Sequence, residues 1–309
     1  MIYDLIIVGA GSAGISAAIY AGRAMLKTLV IEKSSYGGRI KDTSEIVNYP
    51  GFKRISGMEL ISNFKEQAIN YPTNDFIYGT VNKIVKEDNG NFTVSTRRKG
   101  DFSAKAVIVA LGTKAKILGI NGESEFTGKG VSYCSTCDAN LFAGKDIHIL
   151  GSGDVALEEA DYLSKFVNKI TMIVIHEEGI VDGNEVEKQR VMNNPKIEFL
   201  WNTSLEEIKG DGFVKELIVK NLATGEKKRI SSEGIFMFVG LVPQTDIVKG
   251  LAELNDNGFI IVDEKKETNV EGLFAAGDCT ETYLRQVITA ASDGAVAAVA
   301  AERYIRGRI

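Results

Sequence analysis

Leu5-Ile6-Ile7-Val8-Gly9-Ala10-Gly11-Ser12-Ala13-Gly14 is the segment from which the architecture of this chain is read. Its first four residues are apolar without alternation, which reads as a short strand buried on both faces. They run directly into a GxGxxG turn. The alanine-rich stretch after the turn reads as a helix, and Thr28-Leu29-Val30-Ile31 returns as a second buried strand ending at Glu32. Strand, glycine turn, helix, strand and acid in that order form a dinucleotide-binding unit. The first glycine permits the tight turn, the second lets a pyrophosphate approach the backbone, and the third allows close helix packing. Amides at the helix start can then hold phosphates, and Glu32 can accept a hydrogen bond from a ribose hydroxyl.

The pattern recurs. Asp146-Ile147-His148-Ile149-Leu150 leads into Gly151-Ser152-Gly153-Asp154-Val155-Ala156, a helical stretch begins at Leu157, and Ile170 to Ile175 reads as the returning strand. This is an internal repeat of the nucleotide fold. Ala156 keeps a small side chain at the helix-packing position, so the second loop permits phosphate binding without establishing it. Between the repeats, Thr80 to Thr96 alternates as antiparallel strands do, and Ala106 to Ala110 reads as a buried strand before Leu111-Gly112-Thr113. Gly234 to Leu241 is expected to be a strand ending near Pro243, Gly272 to Asp278 a strand that turns, and Gln286 to Tyr304 a helix.

At 309 residues the chain exceeds what one core serves, so two domains are expected. The fold class is α/β: two Rossmann-like, three-layer nucleotide-binding domains, the second inserted into the first. Residues 1–115 and 245–309 would form the first, and 116–244 the second, with crossings near Lys114 to Ile117 and Pro243 to Asp246.

The chemistry centres on Cys134-Ser135-Thr136-Cys137, followed by Asp138 and containing two of the three cysteines. Two intervening residues let the sulfurs meet as a disulfide or face one partner, and a local field can lower one thiol's pKa. Electron transfer through a dithiol is the indicated job. A zinc half-site would need two more ligands, and Cys279, His148 and His176 stand singly. Two buried thiols without a role are the plainer alternative, disfavoured by two nucleotide loops in one chain. Asp138 adjoins Cys137 and could manage the proton, its plainer reading being a helix cap. Cys279 reads as a packed side chain.

A net charge of −5 leaves no cation excess for phosphate backbones, which argues against general nucleic-acid binding. The short basic runs at Arg97-Arg98-Lys99, Lys227-Lys228-Arg229 and Arg303 to Arg308 read as solvated surface, though one could dock an acidic protein. The N-terminus lacks a basic leader, and no apolar run reaches membrane-span length, so a cytoplasmic protein without membrane attachment is expected. In a reducing compartment paired cysteines are more often catalytic or metal-binding than structural.

With these motifs in order, the chain resembles the low-molecular-weight thioredoxin reductases over nearly its whole length. The resemblance is carried by Gly9 to Gly14, Gly37-Gly38, Asn48-Tyr49-Pro50-Gly51-Phe52, Ala110 to Gly112, Cys134 to Asp138, Gly277-Asp278 and Arg285-Gln286. It implies FAD in the first domain. Gly9, Gly11, Ser12, Ala13 and Gly14 would face the pyrophosphate, Glu32 and Lys33 the adenosine side, and Asp278 the ribityl chain. Backbone at Arg285, Gln286 and Val287 would face the flavin ring, with Gly37, Gly38, Arg39, Asn48, Val81, Ala110, Gly112 and Gly277 completing the site. It further implies a homodimer, a smaller domain that rotates, thioredoxin as partner, Cys134 as the thiol attacking it and Cys137 as the sulfur nearer the flavin. No metal is implied.

The chain also departs from the pattern. Members that use NADPH resemble one another in a His-Arg-Arg motif after the second strand of the inserted domain, with another arginine further on. Here the segment reads His176-Glu177-Glu178-Gly179-Ile180-Val181-Asp182, so carboxylates would face a 2′-phosphate. At an effective dielectric near 20, two unit charges about 4 Å apart repel by about 4 kcal/mol, roughly three decades of affinity. NADPH is therefore expected to be a poor donor. Ferredoxin is favoured, as in the pyridine-nucleotide-independent branch the chain also resembles, since Asp182 and Glu185 add charge and no cation precedes Lys188. NADH remains open if Glu177 binds the free 2′-hydroxyl. Solvated turn residues are the plainer reading of Glu177 and Glu178. Arg39 stands where glutamine often follows the paired glycines, and Ala139 where glycine often follows the aspartate. A redox sensor without steady turnover, and a flavoprotein that reduces a small disulfide or peroxide-derived substrate, are the rival functions.

Overall fold

The computed structural model describes residues 2–307, and its chain divides into two compact units. One takes the chain up to Lys114 and again from Val242; the other is Ala115–Leu241.

In the first unit β1 (Ile2–Val8), α1 (Ser12–Arg23) and β2 (Thr28–Glu32) make the opening βαβ unit. α2 (Gly57–Ile69) and β3 (Asn74–Tyr78) follow, then β4 (Val81–Lys86), β5 (Phe92–Thr96) and β6 (Gly100–Val109), with β7 (Thr113–Ala115) at the crossing. The sheet order is β3-β2-β1-β6-β5-β4. β1 is parallel to β2 and β6, while β4, β5 and β6 form an antiparallel meander. The unbroken apolar run of β1 has a physical cause. Leu5 and Ile7 pack into a cluster with α1 alanines, and Ile6 and Val8 into a second cluster with Phe92 and Val94 of the meander.

Two glycines of the first loop are set by space. Gly9 has φ +102, and a Cβ on Gly14 would lie 1.9 Å from the Gly9 carbonyl oxygen. Any side chain at Gly14 would drive α1 off the strand end.

The second unit contains α3 (Glu123–Phe126), β8 (Val131–Ser132), α4 (Ser135–Asp138), β9 (Asp146–Leu150), α5 (Asp154–Ser164) and β10 (Lys169–Ile173). α6 (Glu185–Met192), β11 (Ile197–Leu200), β12 (Thr203–Asp211), β13 (Phe213–Asn221), β14 (Lys227–Ser231) and β15 (Ile235–Met237) complete it. Its parallel sheet runs β11-β10-β9-β15-β8, beside an antiparallel β12-β13-β14 sheet. β16 (Leu241–Pro243) marks the return, and β17 (Leu273–Ala275) then joins β6 in the first unit. α7 (Val287–Ile305) packs on α1 so closely that a Cβ on Gly294 would lie 2.0 Å from the Ala13 carbonyl oxygen.

Two expected elements need correction. The strand read over Gly234 to Leu241 is broken: β15 stops at Met237, and Gly240, at φ +106, turns the chain before β16. The strand read over Ile170 to Ile175 ends at Ile173; Val174 still donates its N–H to Leu200, but Ile175 is exposed.

Candidate redox and nucleotide sites

The disulfide lies in the second unit. Cys134 and Cys137 are bonded, with Cα atoms 5.4 Å apart. Cys134 takes the N-cap position of α4, where its Sγ accepts the Cys137 N–H at 3.3 Å. The Thr136 hydroxyl lies 3.5 Å from the same sulfur, and in the oxidised pair only the hydroxyl can donate. Cys134 is half-buried and Cys137 exposed.

Asp138 ends α4, and its side chain caps nothing. Its Oδ2 instead accepts the Ser132 hydroxyl at 2.6 Å, and Ser132 Oγ accepts the Cys134 N–H at 3.1 Å. Ser132, missed in the sequence, therefore couples the acid to the cysteine backbone. Its only sequence signal is its place two residues before Cys134. A second unforeseen group is Glu123, fully buried, whose carboxylate accepts N–H groups of Leu118, Gly119 and Ile120 and the Tyr133 hydroxyl. Burial and that carboxylate push the Tyr133 phenol above its ordinary range. Tyr133 is thereby pinned beside Cys134. Cys279 is different: burial pushes its thiol up to about 11, and its Sγ points at the Val109 and Ala276 carbonyls.

The first glycine loop lies at the start of α1, where no side chain caps the helix and the first turn holds no acid. Glu32 orients the loop, its Oε2 accepting the Ala10 N–H at 2.8 Å and its Oε1 the Ser34 N–H at 3.1 Å. Gly37 donates its N–H to the Ala10 carbonyl at 2.8 Å and crosses the loop. A Cβ on Gly11 would meet only Gly37 O at 3.8 Å and Gly38 Cα at 4.0 Å, so the face above the loop is bare backbone. Ser12 and Ala13 open α1, and Ala110 lies against Gly9.

Other expected residues form smaller groups in the same unit. Asn48 Nδ2 donates to Gln286 Oε1 at 3.2 Å, and Gln286 caps α7, whose first residue is Val287. Burial raises the Asp278 carboxyl above its usual range, against the pull of Arg39 and Arg285. Arg39 Nη1 donates to Thr113 Oγ1 at 3.4 Å. The Arg285 guanidinium lies 4.1 Å over the Phe259 ring, and its buried Nε has no hydrogen-bond partner among the described residues. Gly277 donates its N–H to Asp293, which is paired with Lys266. Gly112, at φ +62, has empty space where a Cβ would stand. Lys33 is exposed, and the Val81 side chain packs into the meander-side core, leaving its backbone to take part.

The second loop follows the first in register. Gly9 donates its N–H to Ile31 and Gly151 to Ile173, so the place of Glu32 is taken by Val174, 1% exposed. Glu177, expected near the strand end, lies three residues beyond that place, on an exposed turn with Glu178. The continuous apolar run through Ile175 hides the strand end in the sequence.

A chain with two dinucleotide folds, one loop open and bare, and a disulfide held at a helix start belongs to the class that moves electron pairs between a nucleotide cofactor and sulfur. The family model for pyridine nucleotide-disulphide oxidoreductases matches residues 3–294. The thioredoxin reductase of Peptoclostridium acidaminophilum is 44% identical, covering 98% of this chain and 97% of its own. The solved thioredoxin reductase of Lactococcus lactis superposes with a TM-score of 0.95 at 36% identity, over 99% of both chains. A ferredoxin-flavin thioredoxin reductase from Clostridium acetobutylicum gives 0.54 at 31%, again over 99% of both. This chain belongs to the pyridine nucleotide-disulphide oxidoreductases and, among them, to the FAD-dependent low-molecular-weight thioredoxin reductases. The first unit fits FAD: the bare face over Gly11, the empty space at Gly112 and the orphaned Arg285 Nε are places for a ligand. Among the described residues no helix is long and apolar enough to cross a membrane.

Proposed function

We propose that this chain reduces the disulfide of a thioredoxin, cycling Cys134 and Cys137 between disulfide and dithiol, and that its electrons come from ferredoxin rather than NADPH. FAD would lie along Gly9, Gly11, Ser12, Ala13 and Gly14, oriented by Glu32, with Asp278, Arg285, Gln286 and Val287 around the flavin end and Lys33, Gly37, Gly38, Arg39, Asn48, Val81, Ala110, Gly112 and Gly277 lining the rest. When bound, it supplies a carrier for two electrons.

Reduction of the disulfide takes two electrons and two protons. The Cys134 thiolate then attacks one sulfur of the thioredoxin disulfide, forming a mixed disulfide and expelling the other sulfur as a thiolate. Cys137 attacks Cys134 in turn, which releases reduced thioredoxin and restores the starting disulfide. What carries this assignment is the pair of donors at Cys134 Sγ, the Cys137 N–H and the Thr136 hydroxyl, since donors to a thiolate favour its charged form. Asp138, held by Ser132, is the proton carrier beside the pair.

Support for the donor comes from the turn after β10, which presents Glu177, Glu178 and Asp182. The nearest cations along α6 are engaged, Lys188 with Glu185 and Arg190 with Glu187. NADH is the second reading; it would need an acid at the strand end, where register places Val174. We further propose a homodimer, tested by mass in solution. The cysteine roles are tested by trapping: Cys137→Ser should accumulate a mixed disulfide with thioredoxin and Cys134→Ser should not, both losing turnover while keeping FAD. Turnover retained in either variant removes the mechanism, and trapping by Cys134→Ser alone reverses the roles.

A further inference from the structure

The two glycine loops are built alike and crossed by different segments. Over the first loop the crossing residue is Gly37, which offers backbone only. Over the second, Asp182 and Gly183 both donate their N–H groups to the Ser152 carbonyl, at 3.0 and 2.9 Å. Here the crossing residue carries a carboxylate. Asp182 Oδ2 accepts the Ser152 hydroxyl at 2.8 Å, and Oδ1 lies 2.9 Å from His176 Nε2, which must carry the proton to bond a carboxylate.

The next two residues continue the seam. A Cβ on Gly183 would stand 2.5 Å from Leu157 Cδ1 and 3.1 Å from Asp154 N, so this backbone lies directly on the start of α5. Asn184 donates through both its backbone N–H and Nδ2 to Asp154 Oδ1, at 2.7 and 2.8 Å. Three successive residues, 182 to 184, are thus tied to three successive residues, 152 to 154.

We propose that this seam latches the second glycine loop shut against dinucleotides, and that Asp182 is the residue that makes the chain reject NADH as well as NADPH. The proposal deepens the donor part of the function above and rests on it. A pyrophosphate at this loop would lie against a carboxylate already satisfied by Ser152 and His176, so it would have to break those bonds while meeting like charge. Val174 removes the other attraction, because an apolar side chain cannot accept the ribose hydroxyls that a strand-end acid holds. Glu177 and Glu178 deepen the negative field without supplying that contact. NADPH therefore fails on charge, and NADH fails on the latch. Neither nicotinamide fits the second unit as it is built.

The test is calorimetric titration of the oxidised, FAD-loaded full chain with ADP-ribose and with its 2′-phosphate, neither of which can reduce the flavin. The unsubstituted protein should show no saturable binding up to millimolar concentrations. Asp182→Ala should gain ADP-ribose affinity by about tenfold or more, and Asp182→Asn, which keeps a bridge to Ser152 without the charge, should gain less. Micromolar binding of either ligand by the unsubstituted chain overturns the proposal. So does a folded, FAD-loaded Asp182→Asn or Asp182→Ala protein whose affinity has not risen; if Asp182→Ala does not fold, Asp182→Asn decides alone. Failure of the thioredoxin reading would look different: a chemically reduced holoprotein that leaves thioredoxin oxidised sinks that function whatever the titration gives.

Discussion

Two loops that share a GxG turn, Gly9 to Gly14 and Gly151 to Ala156, sit at the same point of the same βαβ frame and have come to opposite ends. The first keeps an acid at its strand end, a helix start free of acids and a cover of bare glycine backbone. The second has a buried valine at that strand end, Asp154 in the first turn and a cover that bonds to the loop through Asp182 and Asn184. A glycine motif specifies a backbone shape, and the segment crossing it sets what that shape can hold.

The largest expected effect comes from adding bulk where the first loop packs on its own helix. Gly14→Leu would place its Cβ against the Gly9 carbonyl, so purified protein should be colourless, with no FAD retained after gel filtration. The equivalent Ala156 already accommodates a methyl group, and Ala156→Gly should cost about 2 kcal/mol, from helix propensity and the loss of one buried methyl. Its unfolding midpoint in urea would show this with the flavin unchanged. Equal effects at the two positions would break the comparison.

A smaller effect separates the strands feeding the loops. Register equates Ile6 of β1 with His148 of β9, whose imidazole is buried, bonded to Ser232 Oγ at 2.9 Å and pushed down to about 4, chiefly by desolvation. An imidazole held neutral in the fold but free to protonate when unfolded makes the unfolded state bind more protons between about pH 4 and 6.5. The His148 contribution to stability therefore falls as the pH falls through that window, by about 3 kcal/mol across its width, against an opposite slope from Glu158, whose carboxyl is pushed up to about 7, chiefly by desolvation. His148→Leu should remove this contribution, so that stability falls less, or rises, as denaturant unfolding is followed from pH 7 to pH 4. An unchanged slope would show that other groups set it.

Much of this was legible because it is local. β1, its loop, α1 and β2 are written in neighbouring residues, as is the disulfide spacing. The end of β10 was not, since Ile170 to Ile175 is one apolar run and only pairing with β11 shows where the strand stops. Gly240 broke another strand through a backbone angle that a lone glycine does not announce. The bonds that decide the second loop join Ser152 to Asp182 and Asp154 to Asn184, each thirty residues apart, with no pattern linking the two ends. Ser132 was closer to Asp138 but looked like any strand serine. The sequence showed the carboxylates of the turn; the fold showed which one reaches the loop.

Anaerobic reduction of the yellow holoprotein, with reduced ferredoxin, NADPH and NADH offered separately and thioredoxin thiols counted, tests the whole account. Reduced ferredoxin should bleach the flavin and yield one thioredoxin dithiol for every two electrons, while both nicotinamides leave the colour unchanged. Rapid bleaching by NADPH, with thioredoxin reduced in step, would contradict it.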